Sequence, residues 1–157
     1  MHRERNKQVV IDAWKAFASG DAQRVSDVFS DDAEWLAPAG NATAGALNAT
    51  HHMVGREAIT QFITSGFRKV FQQDVQTEFR NLYADGYTVI LEWRLQARVA
   101  NGKLYDNEYC FIIELEGERI RRVREYYGHA TSKGRHPELI DWRSTWNWIR
   151  QFAIRRF

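Results

Sequence analysis

Just past Phe71 the spacing of apolar residues changes from helical to strand-like, and that change most limits what the chain can fold into. Before it, Val9, Val10, Ala13, Trp14 and Phe17 recur at helical spacing, predicting an amphipathic helix over residues 5–19. Gly20 ends that helix, and Asp21 can cap a second one carrying Ala22, Val25, Val28 and Phe29. "DDAEWLAP" reads as a short strand centred on Trp35, and the small, polar run "AGNATAGALNATHH" as a loop over a site or a disordered lid. A third helix is expected from about Gly55 to Phe71, with Ile59, Phe62, Ile63, Gly66, Phe67 and Val70 on one face. Beyond it the period is two. Val75, Thr77, Phe79, Asn81 and Tyr83 lead into Asp85-Gly86, a strong hairpin signal. Further strands are expected over 87–100, 103–115 and 119–127, separated by Asn101-Gly102 and by "EGE". The order is helix, helix, strand, helix, then a four-strand antiparallel meander, which is an α+β class with helices on one face of the sheet.

Turn geometry predicts which residues share a face. A two-residue loop at Asn101-Gly102 sets Arg94 opposite Tyr109, Glu92 opposite Phe111 and Gln96 opposite Asn107. Leu91, Trp93, Leu95 and Val99 then share the other face with Leu104, Cys110 and Ile112, while Thr77, Phe79 and Asn81 join the Glu92 face. At the last turn, a two-residue loop would oppose Glu108 and Glu125, a like-charge pair. A three-residue loop ending on Gly117 opposes Glu108 and Arg124 instead and brings Glu125 beside Asn107, so it is preferred. The expected result is one mixed face holding Glu92, Arg94, Asn107, Tyr109, Glu125 and Tyr127 among Phe79, Phe111 and Val123. If the helices cover that face, its charges line a cavity; if not, they are solvated.

Composition narrows the function classes. Apolar residues make up 44% and charged residues 27%, a globular balance over 157 residues. A formal charge of +2 gives no reason to expect a nucleic acid partner. The stretch "MHRERNKQVV" carries charges and no apolar h-region, so no secretory signal is expected, and Cys110 is the single cysteine, which fits a reducing cytoplasm. The five histidines lack spaced partners for a metal site, and no phosphate loop or dinucleotide fingerprint is present, so no cofactor is expected. Cys110 is read as packing rather than as a nucleophile.

The element order, with "VVIDAWKAFASGDAQRVSDVFSDDAEWLAP", "VGREAITQFI" and "NGKLYDNEYCFIIELEGERIRRVREYY", resembles the SnoaL-like branch of the NTF2-like superfamily, over about residues 5 to 127. That superfamily includes ketosteroid isomerases, polyketide cyclases and limonene-epoxide hydrolases. The resemblance implies a conical barrel of three N-terminal helices on a curved antiparallel sheet that encloses a pocket, and a homodimer formed through the sheet's outer face. It divides the chain into a domain over 1–130 and an extension over 131–157. Epoxide hydrolases of this kind bridge two carboxylates with an arginine. Glu92 and Arg94 have the spacing of the first pair in reversed order, and Glu125 falls at the second carboxylate. Their tyrosine and asparagine water-holders find no clear match around Trp35 and Ala37. Neither does the aspartate with its tyrosine-acid oxyanion hole of ketosteroid isomerases, and polyketide cyclases need fewer groups.

Two carboxylates sharing an arginine in an apolar cavity can differ in protonation and serve as acid and base. The residues therefore suggest Glu125 as base, Arg94 as its partner and Glu92 as second acid, with a structural ion pair as the competing reading. Asn107 and Tyr109 would position substrate; Trp35, Phe79, Phe111 and Tyr127 would form walls; and His52 of the loop would reach the pocket mouth. The expected function is acid-base chemistry (isomerisation, cyclisation or epoxide hydration) on a hydrophobic small molecule, and the alternative is a non-catalytic binding or assembly module. In the basic tail, Pro137 opens an expected extra C-terminal helix with Leu139, Trp142, Trp146, Ile149 and Phe152 along one side. Packing on its own barrel or on a neighbouring subunit is preferred there over contact with an anionic membrane.

Overall fold

The computed structural model describes residues 2–39, 50–99 and 101–128. The expected loop over 40–49 and the C-terminal extension with its helix lie outside the described residues. Met1–Tyr127 forms one compact unit.

Helix α1 (His2–Ser19) buries Val10, Ala13, Trp14 and Ala16, one stripe of its surface. It stops at Gly20, whose φ of +68° is left-handed and costs glycine least. The Arg68 guanidinium lies against this glycine, so an added Cβ would collide with it. Asp21 caps α2 (Ala22–Asp27) as expected, its carboxylate accepting from the backbone N–H of Gln23 at 2.9 Å and of Arg24 at 3.0 Å. Further on, α3 (Arg56–Gln61), a π-helical turn (Phe62–Gly66) and α4 (Phe67–Val70) follow one another without a break.

The strands are β1 (Phe29–Leu36), β2 (His52–Val54), β3 (Phe71–Asp85), β4 (Thr88–Val99), β5 (Leu104–Glu116) and β6 (Arg119–Gly128). They form one sheet in the order β2-β1-β6-β5-β4-β3. The sheet is mixed rather than wholly antiparallel. β1 joins β6 in parallel, with Trp35 opposite Val123, and pairs antiparallel with β2.

The β4–β5 register differs from the expected one by a residue. Trp93 opposes Tyr109, Arg94 opposes Glu108, Glu92 opposes Cys110, Leu91 opposes Phe111 and Leu95 opposes Asn107. The cause is local. The Gly102 N–H bonds the Val99 carbonyl at 2.8 Å, and the Val99 N–H bonds Lys103 at 3.0 Å, so three residues close the loop. Gly102 takes the left-handed place, φ +79°. One extra loop residue turns all of β4 over relative to β5. The reward is apolar burial: Val89, Leu91, Trp93, Leu95 and Ala97 all go inside, with Tyr109, Phe111, Ile113 and Leu115 of β5.

The β3–β4 turn also moves by one residue, since Asp85 opposes Thr88. A shift between Phe79 and Asn81 then sends them to opposite faces: Phe79 opposes Trp93, whereas Asn81 opposes Glu92. The helices lie over the inner face. Trp14 of α1 touches Phe111, Trp35 and Phe79, with ring centroids 5.2, 6.5 and 6.4 Å away. Among the described residues, no helix is long and apolar enough to cross a membrane.

Candidate functional site

Glu125 of β6 is an acid that the sheet turns toward the aromatic core. Trp35 and Val123 share a face across the β1–β6 pair, and alternation adds Glu125 and Tyr127. The Trp35 indole N–H donates to Glu125 Oε2 at 2.8 Å. Among the described residues no cation pairs with this carboxyl. Burial dominates, with the Trp35 bond opposing it in part, and the carboxyl is pushed up to about 7.

A tyrosine cluster adjoins it. The Tyr105 and Tyr109 hydroxyls are hydrogen-bonded to each other, and Asn107 Nδ2 donates to the Tyr105 hydroxyl at 3.1 Å. Tyr127 lies against Tyr109, ring centroids 5.4 Å apart. All three phenols are raised above their ordinary range, first by burial; the Glu125 charge contributes to each. Tyr127 reaches about 12. At neutral pH, then, these hydroxyls stay protonated and can donate. The apolar wall is Trp93, Tyr109 and Phe111, with the Tyr109 and Phe111 rings stacked at 5.6 Å.

Seven of the ten expected site residues thus lie on the inner face: Trp35, Phe79, Asn107, Tyr109, Phe111, Glu125 and Tyr127. Phe79 is the outlying one, on the edge strand and 41% exposed.

Glu92, Arg94 and His52 are not brought to Glu125. The register turns Glu92 outward, where its carboxylate accepts from Asn81 at 2.6 Å. Arg94 donates from Nε and a terminal nitrogen to the two oxygens of Asp106, at 2.8 and 2.6 Å. That bond holds Asp106 below the ordinary carboxylate range. His52 opposes Leu36, which alternates with Trp35, so it too faces outward and meets Glu34 at 2.9 Å. Glu34 also accepts from Arg122 at 2.9 Å and is lowered by Arg122 first, then by His52. Cys110 is buried on this outer face, its thiol pushed up to about 11 by burial and then by Glu92.

Two site residues went unread in the sequence. Tyr105 stands four residues before Tyr109 on the same strand, so alternation alone could have placed it. Trp93 belongs to the apolar alternates of β4. Among the described residues, no cluster of three metal-ligating side chains occurs.

Comparison with known proteins agrees with this architecture. A protein of Mycobacterium tuberculosis, itself uncharacterised, is 29% identical over 127 residues, covering 81% of this chain and 92% of the relative. An NTF2-like protein of Burkholderia xenovorans superposes with a TM-score of 0.65 at 20% identity, over 80% of this chain and 90% of that one. TerC, co-crystallised with polyporic acid, superposes with a TM-score of 0.64 at 15% identity, over 78% and 90%. The family model described as the SnoaL-like domain matches residues 10–123, so the chain belongs to the SnoaL-like family and has the NTF2-like α+β fold.

Proposed function

We propose that the inner face binds a flat, hydrophobic small molecule and that Glu125 moves a proton on it, next to a carbonyl group. The observation that carries this reading is the Glu125 carboxyl itself, half-buried among aromatic rings with one indole bond and raised to about 7. A carboxyl poised there is present in both forms at neutral pH, which suits a general base that later returns its proton. In the step proposed, a Glu125 oxygen takes the proton from a carbon beside the carbonyl, and the C–H electron pair becomes the C=C bond of an enolate. Where a second double bond extends the enolate, return of the proton from Glu125 to its far carbon gives an isomer; attack of the enolate carbon on an internal carbonyl gives a ring, and the new alkoxide takes the proton back from Glu125. The Tyr105–Tyr109 pair and Asn107 supply neutral donors for the developing oxyanion.

Epoxide hydration loses its support, because the carboxylate-arginine pair it would use faces outward. An aromatic ligand gains support from TerC, a neighbour of the same fold that holds polyporic acid. The same geometry also serves a non-catalytic binding module, and one experiment separates the two. Exchange of the α-protons of indanone into heavy water is followed by NMR with the full chain and with Glu125→Gln. Catalysed exchange that rises with pH through about 7 in wild type and falls about a hundredfold in the variant is the expected result. Equal exchange in both proteins removes Glu125 from the role. Binding without exchange leaves the binding module.

A further inference from the structure

The inner face also holds a buried polar atom that has no hydrogen-bond partner among the described residues. Trp93 is 8% exposed, and among the described residues its indole nitrogen has no hydrogen-bond acceptor. Trp35, on the same face, satisfies its own N–H through Glu125. A buried donor left unpaired costs on the order of 1–3 kcal/mol, so its presence asks for an explanation. Packing does not supply one, since phenylalanine would bring an aromatic ring to this position without burying a polar atom.

We propose that Trp93 is the residue that orients and selects the ligand, its N–H donating to a carbonyl or hydroxyl oxygen on a flat aromatic molecule. This rests on the reading of the inner face as a ligand pocket. The surroundings define the ligand's chemistry. Trp93 meets Tyr109 and Phe111 with ring centroids 5.4 and 5.9 Å apart, both tilted by 57°. Such walls favour a planar ring system. The donor and these two neighbours are uncharged, so a neutral oxygen matches better than a carboxylate or phosphate. Tyr109 also lies against Tyr127 and senses the Glu125 charge, so the donor and the acid flank one aromatic wall. A carbonyl held by Trp93 would thus fix which carbon of the ligand faces Glu125. Trp93 is a specificity and positioning residue in this scheme; Glu125 performs the chemistry.

The test compares ligands that differ in one oxygen: fluorenone against fluorene, and indanone against indane. Affinities are measured by calorimetry for the full chain and for Trp93→Phe, and the Trp93 indole N–H resonance is followed in wild type. Expected is a ketone preference of about tenfold in wild type that Trp93→Phe abolishes, so that each ketone and its hydrocarbon then bind about equally. The indole resonance should move downfield with the ketones alone. Equal weakening of ketone and hydrocarbon, or a fixed indole resonance while a ketone binds, overturns the assignment and leaves the pocket standing. If none of the four compounds binds wild type at about 1 mM, the pocket reading falls and this proposal falls with it. Should Trp93→Phe fail to fold, the wild-type resonance decides alone.

Discussion

The two faces of this sheet hold the same kinds of side chain under opposite rules. On the outer face, Glu34 and Asp106 each meet an arginine, Arg122 and Arg94, and both carboxylates are held below their ordinary range. On the inner face Glu125 has an indole and, among the described residues, no cation, and it is raised to about 7. What differs is solvent and partner, not residue type. A charge at a wet surface finds a counter-ion at little cost, and the pair adds little stability. A carboxyl placed among rings without a counter-ion opposes folding whenever it is ionised, a cost that the proposed proton transfer would explain.

The largest break of this contrast comes from the inner wall. Phe111→Ala removes the ring that touches Trp14, Trp35, Trp93 and Tyr109 and is expected to lose about 3–5 kcal/mol in denaturant unfolding. A loss near that of an exposed ion pair would mean that the inner face is not the core.

Next in size is the pH dependence, where the faces should give opposite signs. The folded Glu125 binds its proton more tightly than the unfolded chain does. Its contribution is fully present below about pH 4.5 and is lost as pH rises through about 7, by about 3 kcal/mol at most. Glu125→Gln should therefore gain stability relative to wild type at pH 8 and much less at pH 4, read from melting curves. Glu34 and Asp106 act the other way: their contribution is present above the ordinary carboxylate value and is lost as pH falls below it. A Glu125→Gln difference that does not depend on pH would show that the carboxyl is solvated.

Trp35→Phe sharpens the contrast by removing the single bond that opposes burial. The Glu125 midpoint, followed by carbon NMR of the carboxyl, should move up by about one pH unit. A downward move would mean that water or a cation takes the place of the indole.

Why one face was legible in the sequence and its partner strand was not follows from the turns. The period-two pattern of β5 grouped Asn107, Tyr109 and Phe111 on one face, and the hairpins fixed the strand order from β3 to β6. Registers hung on single residues: the third loop residue before Lys103 and the shift beyond Phe79. Aligning the apolar alternates of β4, Leu91, Trp93 and Leu95, with Phe111, Tyr109 and Asn107 demands the three-residue loop, so a signal was there. The Trp35–Glu125 bond spans 90 residues through a parallel pairing that no turn announces. Nor does a local pattern show that the Trp93 N–H goes without a partner among the described residues, because satisfaction depends on every neighbour at once.

The smallest expected effect tests the register most directly. Arg94 binds Asp106 on the outer face, with 30% and 39% of their side chains exposed, and a solvent-screened pair of this kind contributes little stability. Arg94→Gln should therefore cost little stability and leave the Glu125 midpoint where it is. Had Arg94 faced inward beside Glu125, its removal would take away an attraction that holds the carboxylate ionised, and the midpoint would climb. A climb would return Arg94 to the site and reverse β4. A fixed midpoint, with only the Asp106 titration shifted upward, keeps the ion pairs on the outer face and leaves Glu125 governed by burial and by Trp35.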